Sequence, residues 1–137
     1  MEAVMKPTYF WLIFIILITL ALISAVQSEN LYPTLQLSAE KWDFGVIREG
    51  DIVERDFIIK NKGRGSLFIL EIIASCDCTT VTVADEEVSA GEKTSFKVTF
   101  DSKGLNGIVQ RMIVIRSNDP DQPIKRLIIT GKVKPKK

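Results

Sequence analysis

Beyond residue 30, hydrophobic and polar residues alternate in short runs of the kind that form β-strands. Residues 94–100 alternate with a period of two, which predicts a strand with one buried and one hydrated face. Residues 67–74 are almost entirely apolar, with Glu71 the exception, and predict a strand that is buried on both faces. Further strands are predicted where β-branched or aromatic residues recur, at positions 35–37, 42–44, 53–59, 109–115 and 124–130.

Turn-forming residues separate these runs, and no segment beyond residue 30 repeats its hydrophobic residues with the period of a helix. The glycines and Pro120 are interpreted as backbone punctuation, because glycine tolerates positive φ and proline fixes φ. We therefore expect an all-β domain, an immunoglobulin-like antiparallel β-sandwich of about seven strands. A closed barrel is the other arrangement that fits this spacing.

An uncharged hydrophobic run precedes this domain and extends from Tyr9 to Val26. A run of this length just suffices to cross a hydrocarbon core of about 30 Å, and it exceeds the usual signal-peptide core of about 7–15 residues. Lys6 precedes the run and Glu29 is the first charge after it, which favours a cytoplasmic N-terminus. We predict a single-pass membrane anchor that places the rest of the chain outside the cytoplasm, in the periplasm or at the cell surface.

The alternative is a cleaved signal peptide, after which the domain would be secreted. Small residues that suit a cleavage site occur at Ile23-Ser24-Ala25 and Val26-Gln27-Ser28. The predicted organisation is an anchor or signal segment (1–28), a linker (29–34), the sandwich (35–133) and a basic tail (134–137). The tail is expected to be a frayed, solubilising end, or else to contact anionic lipid or an envelope polymer.

Composition excludes several classes of function. Eighteen Lys and Arg against seventeen Asp and Glu give a formal net charge of +1, which argues against nucleic-acid binding. The chain has no histidine, so nucleophile pairs that rely on histidine and imidazole metal sites are excluded. No phosphate-binding glycine loop, G-x-S-x-G or S-x-x-K motif occurs. We therefore expect a protein that is not an enzyme and uses no cofactor.

Cys76 and Cys78 are the only cysteines, and they follow the apolar run at 67–74. In an extended strand their Cα atoms would lie about 6.5 Å apart, near the upper limit for a disulfide, so a bond between them requires a bend. Three interpretations stay open: a structural pair, bonded or as buried thiols; a Cu(I) or Zn(II) site; and a thiol–disulfide exchange site. Exchange sites normally have a cationic neighbour or a helix N-terminus beside the thiol, and neither is apparent nearby in the sequence.

The order of several short motifs is more specific than any one of them. F-G-x-[IV]-x-x-G occurs at 44–50, N-x-G at 61–63, Cys-x-Cys-Thr at 76–79 and S-N-D-P at 117–120. This order resembles a bacterial family of unknown function whose members are thought to be immunoglobulin-like sandwiches, similar to Hydin-type and major-sperm-protein-like domains. The resemblance covers residues 35–133. It marks as motif positions Phe44, Gly45, Gly50, Asn61, Gly91, Asn118, Asp119, Pro120 and Gly131.

The resemblance implies a fold and no chemistry, and the chain departs from the family pattern where Asp77 replaces the glycine of Cys-Gly-Cys. We expect a non-enzymatic, membrane-anchored, extracytoplasmic domain that binds another protein or an envelope component. Its exposed strand edges and the loops at 61–65, 79–89 and 104–107 are the candidate contact surfaces. The alternative function is a Cu- or Zn-binding protein or a redox protein that uses Cys76 and Cys78.

Overall fold

The computed structural model describes residues 7–24 and 31–136, with side chains placed at 10–19 and 31–136. Helix α1 (Pro7–Ser24) covers most of the hydrophobic run. It begins at a proline, which suits the first turn because backbone amides there have no hydrogen-bond partner within the helix. Among the described residues, no helix is both long and apolar enough to cross a membrane. Both candidate cleavage sites and the start of the predicted linker extend into residues 25–30, outside the described residues.

The second unit begins at Leu31 and consists of β-strands in two sheets. Its strands are β1 (Leu35–Leu37), β2 (Lys41–Arg48), β3 (Ile52–Asn61), β4 (Leu67–Ala74), β5 (Thr79–Val83), β6 (Glu87–Val88), β7 (Lys93–Asp101), β8 (Gly107–Ser117) and β9 (Ile124–Lys134). One sheet has the order β1-β3-β7-β5 and the other the order β2-β9-β8-β4-β6. The expected all-β sandwich is therefore confirmed.

The predicted number of about seven strands is too low, since the described residues form nine. The missed strands, β5 and β6, lie within residues 79–89, which we expected to be a loop. The sequence of β5 is TTVTV, a strand-like alternation that is too short to stand out from its polar surroundings. β6 is a two-residue pairing with β4, and periodicity cannot detect so short an element.

The prediction of a purely antiparallel sandwich is wrong for one pair of strands. β2 runs parallel to β9, with Trp42 beside Ile129. β2 can take this direction because no hairpin joins it to a strand of its own sheet; the turn at Gly50 leads into β3 of the other sheet. Gly45, with a φ of +77°, lies at a bulge in β2, where Oδ1 of Asp43 accepts a hydrogen bond from its amide at 2.8 Å.

The core lies between the sheets and is built around aromatic rings. Phe57 of β3 stacks on Phe96 of β7 with 5.3 Å between ring centroids. Trp42 of β2 meets Phe57 edge-on at 5.9 Å and so joins the two sheets. The alternation predicted for residues 94–100 is confirmed, because every second side chain is buried: Thr94, Phe96, Val98 and Phe100.

The prediction that β4 is buried on both faces is wrong. Leu67 and Ile69 are buried, but Leu70 and Ile73 are 63% and 45% exposed. A two-layer sandwich covers only the inner face of each sheet, so the apolar side chains on the outer face of β4 meet solvent. The nearly continuous apolar sequence of β4 therefore does not reflect burial on both faces.

Gly131 in β9 is required for close packing, and the interpretation of this glycine as backbone punctuation is wrong. A Cβ atom at Gly131 would fall on the ring of Phe44. That ring is stacked on Phe100, with 4.9 Å between centroids, and so has little freedom to move aside. In contrast, Gly50 and Gly91 lie in turns with φ of +88° and +79°, as the punctuation hypothesis expects.

We expect Gly131→Ala to lower the free energy of unfolding by about 1–3 kcal/mol, the usual cost of overpacking a core. Urea denaturation of the full chain measures this change. In a Phe44→Ala background the obstructing ring is gone, so the same substitution should cost clearly less. Equal costs in the two backgrounds would show that the Phe44 ring is not what excludes a side chain at this position.

Candidate functional site

Several motif positions meet at one end of the sandwich, near the start of β1. Asn61, at the end of β3, is fully buried. Its Nδ2 donates to the carbonyl oxygens of Gly65 and Val88 at 2.7 and 2.9 Å. Its Oδ1 accepts hydrogen bonds from the amides of Gly63 and Thr34 at 3.0 and 3.2 Å. This one side chain therefore ties together the β3–β4 turn, β6 and the segment that leads into β1.

The S-N-D-P motif serves the same end of the sandwich. Oδ1 of Asn118 accepts a hydrogen bond from the amide of Phe68 at 2.7 Å, and its Nδ2 donates to the carbonyl of Ser66 at 3.0 Å. Oδ2 of the buried Asp119 accepts a hydrogen bond from the amide of Leu35 at 2.8 Å. These contacts join the β8–β9 turn to β4 and β1. They give the motif a structural role, with the exposed Pro120 continuing the turn.

Asp119 is a carboxylate held in a buried position. Burial by itself raises the pKa of this group, but three backbone amides that donate to the carboxylate, together with the charge of Lys125, outweigh it. The pKa of Asp119 therefore lies below its usual value. Two of these amides belong to Asp121 and Gln122, which donate to Oδ1 at 2.9 and 3.1 Å. The turn therefore stabilises the ionised form of the Asp119 carboxylate.

Asp119→Asn is expected to lower the free energy of unfolding at neutral pH by about 1–3 kcal/mol. The hydrogen bonds from the backbone amides become weaker, because a carboxamide oxygen is a poorer acceptor than a carboxylate oxygen. Since the pKa of Asp119 is depressed in the folded state, its contribution is complete above the unfolded pKa of about 3.9 and is lost as the pH falls through the lower folded pKa. The difference between wild type and Asp119→Asn should therefore shrink below about pH 4.

Urea denaturation across this pH range measures the difference for Asp119→Asn. Asp121→Asn is the matched control, because that side chain is exposed and only its amide contacts Asp119. A destabilisation by Asp119→Asn that stays constant as the pH falls would contradict the stabilising role of the ionised carboxylate.

Cys76 and Cys78 form a disulfide where the chain crosses from one sheet to the other. The chain leaves β4 and bends before entering β5, which brings the two Cα atoms to 5.2 Å. The amide of Thr79 donates to the carbonyl of Cys76 at 3.2 Å and closes this turn. Both cysteines are half-buried. Cys78 packs against a small core cluster formed by Phe100, Val109 and Val133.

Arg111 is the functional candidate that the sequence did not reveal. Its Nε lies 3.4 Å from Sγ of Cys78, a residue 33 positions away in the chain. Its Nη1 donates to the carbonyl of Gln110 at 2.9 Å. Arg111 lies on the inward-facing side of β8, between the buried Val109 and Ile113. Within the part of the chain that the structure describes, no carboxylate forms an ion pair with it.

The metal-binding alternative needs ligands beyond the two cysteines. Among residues 7–24 and 31–136, no group of three or more Cys, Asp or Glu side chains is placed to hold a metal ion. The acidic segment of Asp85, Glu86 and Glu87 is exposed, as a solvated turn would be. A metal site at Cys76 and Cys78 stays a prediction.

A groove lies between one edge of each sheet. β5 pairs with β7 alone, and β6 covers β4 only at Leu67 and Phe68. The remainder of β4 and the outer edge of β5 flank a cavity of about 190 Å³. Its lining consists of Ile69, Leu70, Glu71, Ile72, Val81, Val83 and Glu86.

The open edge of β5 presents the backbone groups of Val81 and Val83. In an antiparallel pair, every second residue exchanges hydrogen bonds with the partner strand, and the residues between direct their amides and carbonyls away. The carbonyl of Cys78 and the amide of Ala84 both bond to β7 at 2.9 Å, so the even-numbered residues face β7. The amides and carbonyls of Val81 and Val83 therefore face away from β7, at the open edge.

Residues 35–133 match the family described as Protein of unknown function (DUF1573). The chain belongs to this family. The expected membership of a family of unknown function is thus confirmed over the predicted range. No curated protein is a significant match to the sequence of this DUF1573 chain.

Solved structures resemble the fold of the DUF1573 domain at low sequence identity. A protein of unknown function from Porphyromonas gingivalis W83 is 19% identical, with a TM-score of 0.68 over 79% of this chain and 50% of that chain. The PapD-like domain 7 of human CEP192 is 10% identical, with a TM-score of 0.59 over 82% and 93%. The periplasmic chaperone SfaE is 9% identical, with a TM-score of 0.53 over 76% and 59%. The chain spans half the length of the P. gingivalis protein, and these likenesses concern the fold alone.

Proposed function

We propose that this DUF1573 protein is a non-enzymatic binding module, tethered outside the cytoplasm, that adds an extended segment of a partner protein to the open edge of β5. The observation that carries the proposal is the outward-facing backbone of Val81 and Val83 beside a groove that has both apolar and acidic side chains in its lining. An added strand gains affinity from main-chain hydrogen bonds and selectivity from the side chains that enter pockets. An edge of this kind attracts further strands unless something covers it.

The lining of the groove defines the chemistry of the partner. Ile72, Val81 and Val83 present half-buried apolar side chains to it, while Glu71 and Glu86 are exposed acids. A strand places alternate side chains on one face. The partner segment would therefore carry apolar residues at every second position and a Lys or Arg at the end that meets Glu86, because Glu71 already pairs with Arg116 at 3.1 Å.

The structural relatives support the same class of function. SfaE is a periplasmic chaperone by its description, and the CEP192 domain is described as PapD-like. A binding role outside the cytoplasm is consistent with the former. The narrower likeness to Hydin-type and major-sperm-protein-like domains is part of this proposal, and it rests on the same sandwich together with the order of the sequence motifs.

The proposed location rests on the sequence, on the uncharged run from Tyr9 to Val26. It does not rest on a membrane-spanning helix, because none is found among the described residues. The side chains described along α1 are exposed and apolar from Phe10 to Ile18. A helix with an apolar surface of this kind favours a lipid environment over water. We therefore keep the anchor in the proposal, with secretion after cleavage as the alternative.

Val81→Pro should weaken strand addition while leaving the domain folded. Proline removes an amide that faces the open edge, where strands tolerate it, and leaves the ladder to β7 intact. Extended peptides selected from a displayed library on the wild-type chain serve as probes. Loss of the Val81 amide should weaken the binding of these peptides about tenfold. On binding, the amides of Val81 and Val83 should become protected from hydrogen exchange.

Val81→Ala is the matched control for this experiment, because it shortens the same side chain but keeps the amide, and it should weaken binding less than Val81→Pro. Peptides that bind Val81→Pro as well as wild type, or that protect another strand instead, would refute addition at β5. A far-UV spectrum of each variant establishes that it is folded.

The location is tested separately with the full chain carrying a C-terminal tag in a bacterial host. We expect the tagged protein to sediment with membranes. It should become sensitive to added protease once the outer layers of the cell envelope are made permeable. Deletion of residues 1–28 should leave the tagged domain in the cytosol, because it removes the hydrophobic run. Full-length protein recovered from the soluble cytosol would refute the anchor, and release of a shortened form to the exterior would favour the cleaved signal.

A further inference from the structure

The disulfide is positioned for chemistry more than for stability. It encloses only Asp77 between its cysteines, and a loop this short restricts the unfolded chain very little. Most of the buried core side chains belong to a separate cluster, and Cys78 packs only against the smaller cluster of Phe100, Val109 and Val133. Opening the disulfide should therefore leave the sandwich folded.

The surroundings of the two sulfur atoms are unequal. The guanidinium Nε of Arg111 lies 3.4 Å from Sγ of Cys78. The hydroxyl Oγ1 of Thr79 lies 3.5 Å from Sγ of Cys76 and 3.9 Å from Sγ of Cys78. A neighbouring cation stabilises a thiolate. A hydrogen bond from a guanidinium to a negatively charged thiolate is stronger than one to the uncharged sulfur of a disulfide. Arg111 therefore favours Cys78 as the sulfur that carries negative charge when the bond opens.

We infer that Cys76 and Cys78 form a thiol–disulfide exchange site that oxidises dithiols in proteins or peptides, with Cys76 as the attacked sulfur and Cys78 as the leaving thiolate beside Arg111. This inference goes beyond the proposed binding at β5, to which alone the description as non-enzymatic applies, and does not depend on it. Both sulfurs belong to half-buried residues, and the exposed Asp77 between them marks the side from which solvent reaches the bend.

The exchange balances without any other oxidant. A thiolate of the substrate attacks Sγ of Cys76, a mixed disulfide forms, and the electron pair of the broken S–S bond stays on Cys78. The second substrate thiol loses its proton to water and attacks its own sulfur in the mixed disulfide, which releases Cys76 as a thiolate. The substrate dithiol has then lost two electrons and two protons, and the Cys76–Cys78 pair has gained the two electrons and is protonated from water.

The first test measures the thiolate of Cys78 directly. In the full chain carrying Cys76→Ser, Cys78 is the only thiol, and its rate of alkylation by iodoacetamide follows the thiolate population. Adding Arg111→Gln should slow alkylation at neutral pH about tenfold, and Arg111→Lys should restore part of the rate. Arg126→Gln, on the exposed side of β9, removes the same charge and should leave the rate unchanged. Equal rates for Arg111→Gln and Arg126→Gln would overturn the role of Arg111.

The second test follows exchange itself. The oxidised full chain is mixed with a reduced peptide that carries two cysteines, and the thiols of both are counted by mass after alkylation. We expect one peptide disulfide for each Cys76–Cys78 bond opened, and more slowly with Arg111→Gln than with Arg126→Gln. Cys78→Ser has no Cys76–Cys78 bond to donate and should therefore form no peptide disulfide. A bond that dithiothreitol opens but the peptide does not would overturn the inference.

Discussion

Aromatic contacts between the inner faces join the two sheets, and the packing of the domain depends on them. Trp42 belongs to the five-stranded sheet and Phe57 to the four-stranded one, and their rings meet edge-on at 5.9 Å. Hydrogen-bonded pairing gives each strand its place within a sheet, and the inner faces hold the two sheets together. β5 then lies at an edge, and the chain between β4 and β5 must cross from one layer to the other. Both candidate sites lie along that crossing.

Crossing between layers also explains why a charged residue is tolerated on an inward-facing surface. β4 pairs with β8 as far as Ala74 beside Ile113, and the amide of Ser75 still donates to the carbonyl of Met112 at 2.9 Å before the chain turns away towards β5. The inner face of β8 is then left partly open at Arg111, which is half-buried between two buried aliphatic residues. A long side chain can bury its stem there and keep its head near polar atoms. The head reaches Cys78 because the same bend that uncovers β8 carries the cysteines past it.

The fold was predictable wherever burial follows a local period, and it was not where burial depends on the partner. The alternation of residues 94–100 locates β7 correctly, since a half-buried strand must repeat every second residue. The parallel partner of β2 was not predictable, because no hairpin records it in the sequence. Gly131 was misinterpreted for a related reason. Its requirement arises from Phe44 on another strand, and a glycine that avoids a ring cannot be told from a glycine that makes a turn.

The most distinctive motifs were the least informative about chemistry. Asn61, Asn118 and Asp119 stand out in the sequence. The side chain of each forms hydrogen bonds with backbone groups at one end of the sandwich, which would otherwise have no partner there. Nothing local distinguishes Arg111 from the other cations of the chain. The cysteines were evident, but the cationic neighbour that an exchange site requires came from β8 and depended on the full topology.

The two proposed activities, strand addition at β5 and dithiol oxidation at the disulfide, use one stretch of chain. Binding at β5 would therefore affect which substrates the disulfide oxidises. Thr79 is the first residue of β5 and also the residue whose hydroxyl lies near both sulfur atoms. A segment paired along β5 would therefore be held next to the disulfide. Holding a thiol in place raises its effective concentration there. A small dithiol needs no strand pairing, so its oxidation would not depend on the β5 edge. Oxidation of a cysteine-containing segment that binds at β5 would depend on both, because the edge supplies the position and the cysteines supply the electron acceptor.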